Sequence, residues 1–517
     1  MASVEPSART APPIVVFRAD ASVHIGAGHV VRCVALAHAL HAMGARCLFV
    51  SRSLDGQLSG WVREQGFETA DLPATPTPGQ GPRWVDQDLD LQLTTAAVGD
   101  TVGHANWLVI DHYAIDASWE QAARALADRL LVIDDLANRS HAADLLLDQG
   151  VQEVAARYTP WLAHPCPILL GPKYALLRPE FAGLAAAREN QAKDPAQTIL
   201  ACMGGTDLLD VLSITLTAWR GLPTPRPPLD LVVGASSPNV VALARGCEGL
   251  AGLRLHVATN DMAELMAGAQ LVISSAGGIG WERCSAGLPA IFGRTAPNQT
   301  GNLGALVRHR TGFSVGDWST VTPEQLRNLL ARLLARPGLR RRMGERAHRM
   351  VDGLGATRVA CHMLMDGLWL RGAAPADATL VYPWRNAAST RRYFHDPAPV
   401  SLERHVAWWE LASRDPGRAL LIAAIGHRPV GVLRLDRAEE APSAMVSIYT
   451  DPALAGLGLG ARMLATGKSW ASTHWPDLAA LTAEINTGNA ASIKAFERAG
   501  FAQHQQLWRC PLTTFGR

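Results

Sequence analysis

Short apolar runs alternate with stretches of helical periodicity from the N-terminal region through about residue 320. The runs are bounded by Gly, Asp or Pro, and the stretches between them carry apolar residues at helical spacing. This alternation predicts strands joined by helices, which is typical of parallel sheets in an α/β fold. The predicted strands read IVVF, CLFV, WLVIDH, LLVIDD, TILACMGG, LDLVVG, LRLHV, LVISSAG and PAIFG.

The alternation pauses over residues 171–195, where prolines surround a polar, helix-like piece. We interpret this segment as the connection between two halves. The sequence therefore predicts two Rossmann-like domains, over residues 14–180 and 196–370, with a central cleft in a GT-B-like arrangement. Paired domains of this kind are common among proteins that bind nucleotide sugars. We expect residues 1–13 to form a disordered tail.

A third domain is predicted at the C-terminal end. Residues 371–379, RGAAPADAT, are short and rich in Pro and Ala, which is typical of a linker. Beyond them Trp and Arg become frequent, and RALLIAAIGHRPVGVLRLD predicts two strands around a turn. We therefore expect an α+β domain over residues 380–517.

Composition and charge narrow the class of protein. Hydrophobic residues make up 48% and charged residues 18% of the chain, and the formal net charge is +2. This balance predicts a folded protein and argues against a nucleic-acid partner. The one dense basic run, residues 339–349, is interpreted as the solvated face of a helix. Because no leader peptide or membrane-length apolar run is evident, we expect a cytoplasmic protein without a membrane partner. The composition does not indicate an oligomeric state.

The eight cysteines show no paired CxxC spacing. That pattern favours reduced thiols over a zinc site or a disulfide framework.

The segment RADASVHIGAGHVVRC after the first predicted strand concentrates candidate chemistry. Gly26 and Gly28 allow a tight turn, and we expect Gly28 to lie against the substrate. His29 then opens a helix, where free backbone N–H groups disfavour a second positive charge. A histidine kept neutral in this way could act as a general base. His24 lies outside the helix and is interpreted as a loop residue.

Two charged residues flank this histidine. Arg32 lies on the same side of the helix and could hold a carboxylate or a phosphate. Asp20 could orient a histidine or bind a sugar hydroxyl. We expect Asp20 and Arg32 to support His29. The alternative for the whole segment is a capped helix with surface charges.

Two further strand ends carry polar residues, and α/β folds place ligands there. Tyr113 is a candidate for the cleft, with Asp111 and His112 beside it to tune or orient a neighbour. Asp134 and Asp135 end the next strand. Paired acids suit a metal ion, but no third ligand is spaced with them, so we expect no metal site.

The second half offers glycine turns. Gly277 and Gly278 follow a predicted strand and open a helix, where backbone amides could approach a diphosphate. Gly205, in the sequence MGGTD, provides a similar turn. Glu282 falls in the first turn of the next helix, where a carboxylate also complements the helix dipole.

These segments together resemble the UDP-sugar hydrolases of the pseudaminic acid pathway. That family is similar in fold to the lipid-II-forming glycosyltransferases but uses water as the acceptor. The resemblance runs in order over residues 14–360 and rests on RADASVHIGAGHVVRC, DHYAIDASWE, IDDLANRSHAADLLLDQ, GPKYALLRPEF, GGTD and SSAGGIGWE.

The resemblance implies metal-independent hydrolysis of UDP-2,4-diacetamido-2,4,6-trideoxy-β-L-altropyranose to the free sugar and UDP, with inversion. It also implies that His29 is the catalytic base and that Glu282 binds the ribose hydroxyls. Asn298 and Gln299 match a family pair that faces the sugar. Either residue could instead be a turn amide that bonds its own backbone.

The C-terminal segment resembles the GNAT acetyltransferases. VSIYTDPALAGLGLGARML reads as a strand, a glycine loop and a helix, and AEINTGNAASIKAFERAGF fits the second acetyl-CoA motif. YPWRNAASTRRYF resembles the opening of members that acetylate amino sugars. The resemblance implies an acetyl-CoA site formed by Ile448, Gly456, Gly458, Gly460 and Asn489.

Two positions depart from the GNAT pattern. Ala455 stands where Gln or Arg usually precedes the glycine loop, which weakens one phosphate contact. Phe496 stands where a tyrosine often serves as general acid. Glu484 is a candidate base. We therefore expect either an active N-acetyltransferase, acting on the 4-amino UDP-sugar that precedes the hydrolase substrate, or a domain that only binds CoA.

Two other functions stay open for the whole chain. One is a glycosyltransferase of the GT-B fold that uses a UDP-sugar donor. The other is a non-catalytic protein that binds a UDP-sugar and CoA.

Overall fold

The computed structural model describes residues 11–74, 85–150, 154–191, 198–205, 207–234 and 237–503. The predicted tail falls mainly on residues 1–10, which lie outside the described residues. The chain folds into two compact units. One is Ala11–Cys361, and the other comprises the described residues from His362 onward.

The first half of the N-terminal unit is a seven-stranded parallel sheet in the order β3-β2-β1-β4-β5-β6-β7. Its central strands are buried apolar runs, as expected for a sheet covered on both faces. The strands are β1 Ile14–Ala19, β2 Arg46–Arg52, β3 Glu68–Leu72, β4 Ala105–Asp111, β5 Ala127–Ile133, β6 Leu145–Asp148 and β7 Ile168–Leu170. The helices are α1 Gly28–His41, α2 Ser59–Glu64, α3 Gln87–Thr101, α4 Ala117–Ala122 and α5 Leu184–Gln191.

The second half repeats this topology with a six-stranded parallel sheet in the order β10-β9-β8-β11-β12-β13. The strands are β8 Thr198–Cys202, β9 Leu229–Val233, β10 Leu253–Val257, β11 Ala269–Ser275, β12 Ala290–Arg294 and β13 Gly312–Asp317. The helices are α6 Val211–Arg220, α7 Val240–Cys247, α8 Met262–Gly268, α9 Ile279–Ser285, α10 Thr300–Arg308, α11 Pro323–Leu334, α12 Pro337–Met350 and α13 Gly355–Met363.

Strand order reverses between β1 and β4 in the first sheet and between β8 and β11 in the second. Such switch points open a crevice at the carboxyl ends of the strands, where α/β proteins bind ligands. The two halves meet on this side: a Cβ added to Gly150, just after β6, would lie 3.9 Å from Oδ1 of Asn302 on α10. The predicted fold of two Rossmann-like domains in a GT-B-like arrangement is confirmed.

The C-terminal unit is an α+β fold around a five-stranded sheet in the order β14-β15-β16-β17-β18. The first four strands are antiparallel, and β18 runs parallel to β17. The strands are β14 Leu368–Gly372, β15 Arg418–Ile425, β16 Arg428–Arg437, β17 Ser443–Thr450 and β18 Ala480–Thr482. The helices are α14 Asp377–Asn386, α15 Ala388–Arg391, α16 Leu402–Arg414, α17 Leu459–His474 and α18 Ala490–Arg498.

The expected linker over residues 371–379 is instead part of this C-terminal fold. Its first residues end β14, which pairs with β15 from Leu368 opposite Ile425 to Gly372 opposite Leu421. Its last residues begin α14, where Asp377 accepts two hydrogen bonds from Arg371 at 2.7 Å each. Small residues fit here because the chain turns tightly from an edge strand into a helix.

Among the described helices, none has both the length and the apolar character needed to span a lipid bilayer.

Candidate active site

His29 lies in the first turn of α1, at the switch point between β1 and β4. Its Nδ1 is 2.6 Å from Oδ1 of Asp111, the last residue of β4. The turn before the helix uses a glycine, Gly26, at φ +87°, and the space beside Gly28 is open, since a Cβ added there would meet no atom within 4 Å. The histidine is 9% exposed, so one edge of the ring can reach a ligand.

Asp111 is a fully buried carboxylate that α1 surrounds with donors. Arg32 donates from Nε to Oδ2 at 2.5 Å and from Nη2 to Oδ1 at 2.6 Å, and Sγ of Cys33 is 3.7 Å from Oδ2. Burial alone would raise the pKa of Asp111, but the charges and hydrogen bonds of Arg32 and His29 hold it below its ordinary value. An ionised Asp111 can only accept a hydrogen bond, so Nδ1 of His29 carries the proton and donates to it, and Nε2 is the ring nitrogen that can accept a proton.

Arg32 was predicted to hold a carboxylate or a phosphate of the substrate and to support His29. In the structure, Nε and Nη2 of its guanidinium bind the carboxylate of Asp111, which is the partner of His29. The guanidinium lies 3.3 Å from Nδ1 of His29.

Tyr113 packs its ring against the histidine. The ring centroids of Tyr113 and His29 are 4.7 Å apart at an interplanar angle of 82°. The Tyr113 hydroxyl donates to Oδ1 of Asp135 at 2.9 Å. Burial, with the charge of Asp135, raises the pKa of Tyr113, so the hydroxyl stays protonated at neutral pH. The predicted cleft residue thus lies beside the catalytic candidate.

Asp20 was expected to bind a sugar hydroxyl or orient His29, and the structure corrects this. Asp20 is 0% exposed and accepts from Arg18 at 2.6 Å and from both the backbone N and Nε of Arg52 at 2.8 and 2.7 Å. Its Oδ2 is also 3.2 Å from Nε2 of His112. The histidine that Asp20 orients is therefore His112, and its buried oxygens are occupied by protein groups.

His112 is held neutral by its surroundings. Its Nδ1 accepts from the backbone N–H of Ala114 at 3.1 Å, so the proton resides on Nε2, toward Asp20. Burial lowers the pKa of His112 despite the nearby Asp20. The side chain thus fixes the turn that carries Asp111 on one side and Tyr113 on the other.

The paired acids after β5 face different partners. Asp134 is fully buried and accepts from Arg139 and from the backbone N–H of Ala137 at 2.7 Å. Asp135 accepts from Tyr113 instead. Within the described ranges no three His, Cys, Asp or Glu side chains form a group that could hold a metal ion. His24 lies in the turn between Ser22 and Gly26, as predicted for a loop residue.

In the second half, Gly277 and Gly278 follow β11 at its switch point. A Cβ on Gly278 would meet no atom within 4 Å, whereas one on Gly277 would lie 3.3 Å from Nε2 of Gln299. The Gln299 side chain accepts from the backbone N–H of Thr295 at 2.9 Å, which is the alternative role of a turn amide. The side chain of Asn298 lies outside what the structure describes.

Gly205 follows β8 on the other side of the same switch point, and space for a Cβ is open there too. Asp207, which belongs to the same predicted turn, is used by the fold: its carboxylate accepts from the first two backbone N–H groups of α6 at 2.9 and 2.8 Å. Glycine turns from both switch-point strands therefore lie at one edge of the second sheet.

Glu282 lies in the first turn of α9, as predicted, and is partly exposed. Burial raises its pKa to about 7, with Arg178 opposing and Glu180 adding to the shift. The sequence did not identify Arg178 as a candidate. Its position in GPKYALLRPEF, the segment between the two halves, could have indicated that it lies near the cleft.

One edge of β17 is only partly paired. β17 pairs in parallel with the three residues of β18 from Ser443 to Met445, and the remainder of β17 has no partner on β18. The side chain of Ile448, in this remainder, lies 3.4 Å from a Cβ added to Gly460 in the first turn of α17. A strand edge left unpaired in this way offers backbone groups that an extended ligand can bind.

A glycine loop leads from β17 into α17. Gly456 and Gly458 both adopt φ +85°, a left-handed conformation, and a Cβ on either would meet no atom within 4 Å. Consecutive backbone amides in such a loop at a helix start can bind phosphate groups. The backbone conformation of the loop is thus compatible with phosphate binding.

The other predicted residues of this unit have structural roles as well. Oδ1 of Asn489 accepts from the backbone N–H of Ser492 at 3.1 Å and caps α18, which leaves its Nδ2 group for a ligand. Glu484 is exposed and forms an ion pair with His395 at 3.2 Å. Phe496 is buried and packs edge-on against Phe501.

Comparison with known proteins separates the two units. Residues 367–502 match the family model described as "Acetyltransferase (GNAT) domain". The C-terminal unit is a GNAT acetyltransferase domain. The family match begins within one residue of β14 and spans the five-stranded sheet, so the GNAT domain includes the segment expected to be a linker.

The N-terminal unit is similar to two curated proteins. One is the UDP-2,4-diacetamido-2,4,6-trideoxy-β-L-altropyranose hydrolase of Campylobacter jejuni, 26% identical over 262 residues, which cover 51% of this chain and 84% of that protein. The other is the spore coat polysaccharide biosynthesis protein SpsG of Bacillus subtilis, 28% identical over 191 residues, which cover 37% of this chain and 56% of that protein.

Among solved structures, the MurG protein of Acinetobacter baumannii aligns over 68% of this chain and 98% of its own, with 18% identity and a TM-score of 0.46.

Proposed function

We propose that the N-terminal unit hydrolyses UDP-2,4-diacetamido-2,4,6-trideoxy-β-L-altropyranose to the free sugar and UDP. The observation that carries this proposal is the His29–Asp111 pair, which presents a proton acceptor at the switch point of the first sheet. The similarity to the Campylobacter hydrolase supports the choice of substrate. We further propose that the GNAT domain acetylates the 4-amino UDP-sugar that precedes this substrate.

In the proposed reaction, Nε2 of His29 takes a proton from a water molecule as its oxygen attacks the anomeric carbon. A carbon–oxygen bond forms with water, and the bond from the anomeric carbon to the diphosphate oxygen breaks. UDP leaves with the electron pair, and the sugar inverts its configuration. Asp111 stabilises the imidazolium that forms on His29, which then releases its proton to solvent.

The second half would hold the nucleotide. Backbone amides at Gly205, Gly277 and Gly278 are suited to the diphosphate, since fixed N–H dipoles stabilise a leaving anion. Glu282 would accept hydrogen bonds from the ribose hydroxyls. Asn298 and Gln299 would face the sugar, and for Gln299 this requires the amide to leave its bond to Thr295. With these assignments, the nucleotide and the proposed general base, His29, lie on opposite halves of the unit.

The GNAT domain would bind acetyl-CoA between β17 and β18, with its phosphates on the loop of Gly456 and Gly458. The edge of β17 beyond Met445, which has no partner on β18, and the left-handed glycines fit such a ligand. When bound, acetyl-CoA supplies an acetyl thioester for transfer to an amine. Phe496 has no proton to give to a leaving thiolate, so that proton comes from the amine or from solvent.

Product analysis by NMR on synthetic UDP-diacetamido sugars tests the proposed hydrolase. We expect the full chain to release UDP and the free sugar without an added acceptor. UDP release that depends strictly on an acceptor would identify a glycosyltransferase instead. Tight binding of both ligands without turnover would identify a binding protein.

The acetyltransferase step is tested on the full chain with the hydrolase blocked. In the His29→Asn variant, the 4-amino UDP-sugar and acetyl-CoA should yield the 4-acetamido UDP-sugar, which then accumulates. In the wild-type chain the same mixture should proceed to the free sugar. Acetylation of unrelated amines but not of this sugar would contradict the proposed acceptor.

A further inference from the structure

Aspartates occupy the carboxyl edge of the first sheet after four neighbouring strands. They are Asp20, Asp111, Asp134, Asp135 and Asp148. Four of them have side chains that are 0% exposed, whereas the Asp135 side chain is 33% exposed. This difference separates Asp135 from its neighbours, because α/β folds bind ligands at the carboxyl ends of their strands and an exposed carboxylate there is available to a ligand.

Protein groups donate at least two hydrogen bonds to each of the buried four. Asp20 and Asp111 are held by arginines and histidines, as described above. Asp134 is bonded to Arg139 and to a backbone N–H. Asp148 accepts from the Gly150 backbone at 2.8 Å, from Tyr158 at 3.0 Å and from Arg157 at 3.1 Å. Each of these carboxylates has a structural explanation.

Asp135 has a different environment. Its Oδ1 accepts from the Tyr113 hydroxyl at 2.9 Å, and the nearest guanidinium atom to Oδ2 among its ion pairs is Nη1 of Arg32 at 3.8 Å, beyond hydrogen-bond distance. A carboxylate can accept about four hydrogen bonds, and this side chain is 33% exposed, so Asp135 retains acceptor capacity for a ligand. The group is nonetheless fixed in place by Tyr113.

Asp135 also belongs to the surroundings of His29. Tyr113, which donates to Asp135, is the residue whose ring packs edge-on against the His29 ring at 4.7 Å. Arg32, which faces Oδ2 of Asp135, is the residue that binds Asp111. A closed ring of contacts thus joins the exposed carboxylate to the proposed base.

We propose that Asp135 is a specificity-determining residue that accepts a hydrogen bond from the sugar. The donor would be an N–H or O–H group carried next to the anomeric carbon, as in an acetamido substituent. This inference rests on the proposed function and deepens it. Nε2 of His29 and Oδ2 of Asp135 are both hydrogen-bond acceptors. The first suits the O–H of a water molecule, and the second suits an N–H or O–H of the sugar.

The test uses binding in the His29→Asn background, where turnover is blocked. Asp135→Asn keeps an oxygen for the Tyr113 hydroxyl but removes the charged acceptor. We expect it to weaken binding of the UDP-diacetamido sugar about 10- to 100-fold, the range for a hydrogen bond to a charged group, and to change UDP binding by less than about two-fold.

Asp128→Asn is the matched control. Asp128 lies near the amino end of β5, the strand whose carboxyl end precedes Asp135, and its side chain is 57% exposed. The control removes the same charge from the same strand at the opposite edge of the sheet. It should leave binding of both ligands unchanged, because the charge is remote from the switch point.

A kinetic readout separates contact with the sugar from mere support of Tyr113. In the chain with His29 intact, Asp135→Asn should raise KM with a smaller change in kcat. If Asp135 only supported Tyr113, whose ring packs against His29, its loss would mainly lower kcat. Equal loss of UDP and UDP-sugar binding in Asp135→Asn, or unchanged binding of the UDP-sugar, would overturn the inference.

The two proposals fail in different ways. If the wild-type chain binds the UDP-sugar without releasing UDP, the proposed hydrolysis is wrong, and the comparison of Asp135→Asn with Asp128→Asn still decides the inference. If the wild-type chain binds neither UDP nor the UDP-sugar, both proposals are overturned.

Discussion

Nδ1 of His29 lies 2.6 Å from Oδ1 of Asp111, although 82 residues separate them in the sequence. The contact exists because α1 follows β1 and Asp111 ends β4, and these two strands are neighbours at the switch point of the sheet. It fixes which ring nitrogen carries the proton. The proposed chemistry therefore depends on Asp111 as much as on His29.

Asp111→Asn should lower kcat by about 10²-fold or more, because general-base help is typically worth about 10²–10⁴ in rate. Arg32 donates to both Asp111 oxygens, so it would hold the oxygen of the new amide and turn the amide N–H toward His29. The imidazole would then carry its proton on Nε2, where the base must accept one.

A UDP-release assay measures this effect, and a UDP titration provides the control. UDP affinity should change by less than about two-fold, since the nucleotide is assigned to the other half. Wild-type turnover in Asp111→Asn would show that the His29–Asp111 pair does not accept the proton in the reaction.

Asp20→Asn should destabilise the N-terminal unit by about 3–5 kcal/mol, because it leaves buried arginine charges without their partner. The matched control is Glu68→Gln, at an exposed pair with Arg46, where a surface ion pair is worth about 0–1 kcal/mol. Denaturant unfolding of the full chain, followed at the transition of this unit, measures both. A loss below about 1 kcal/mol in Asp20→Asn would contradict the structural role.

Acid should weaken the same network. The pKa of Asp20 lies well below its ordinary value: burial opposes this shift, but the charge of Arg18 and the hydrogen bond from His112 outweigh it. A carboxyl with a depressed folded pKa contributes stability that is present above its unfolded pKa and is lost as the pH falls. The stability gap between wild type and Asp20→Asn should therefore narrow in acid.

The raised pKa of Glu282 predicts that nucleotide binding depends on pH. Its pKa is raised to about 7 by burial, so the carboxylate that would accept the ribose hydroxyls forms only as the pH rises through neutrality. If only the ionised form binds ribose, UDP-sugar affinity should rise about ten-fold between about pH 6 and pH 8. Glu282→Gln should abolish this slope.

Titration calorimetry in the His29→Asn background measures that slope without turnover. A UDP-sugar is the suitable probe, because its diphosphate carries no terminal group that titrates near neutrality. The same pH dependence in Glu282→Gln as in the parent would assign the titration to another group.

The GNAT loop is tested by a pair of glycine substitutions. Gly458→Ala should weaken acetyl-CoA binding about ten-fold or more, because the left-handed backbone at φ +85° disfavours alanine and the loop amides would shift. Gly426→Ala, in the hairpin between β15 and β16 at φ +53°, imposes similar strain away from the loop. Equal effects of the two variants on acetyl-CoA binding would argue against the assigned site.

The fold was largely predictable from sequence because buried parallel strands are continuous apolar runs that need no partner to be recognised. The predicted strand before His29 and the helix after it both form. The prediction of a linker over residues 371–379 was wrong for a physical reason. The segment begins in the edge strand Leu368–Gly372, and the small residues that follow form a turn, where the sequence has no strand pattern.

The site was predictable only in part, because side-chain partners come from distant strands. Tyr113 and His29 were candidates from their positions at a strand end and a helix start. Burial could not be foreseen at Asp20, whose oxygens are all taken by protein groups. Asp135 looked equivalent to Asp134 in the sequence, and only their exposure distinguishes them.

Hydrolysis in water enriched in ¹⁸O, with mass analysis of both products, tests the central claim most directly. If water activated by His29 attacks the anomeric carbon, the label appears in the free sugar and not in UDP. Label in UDP would show attack at phosphorus and would contradict the proposed mechanism, as would release of UDP that requires an added acceptor.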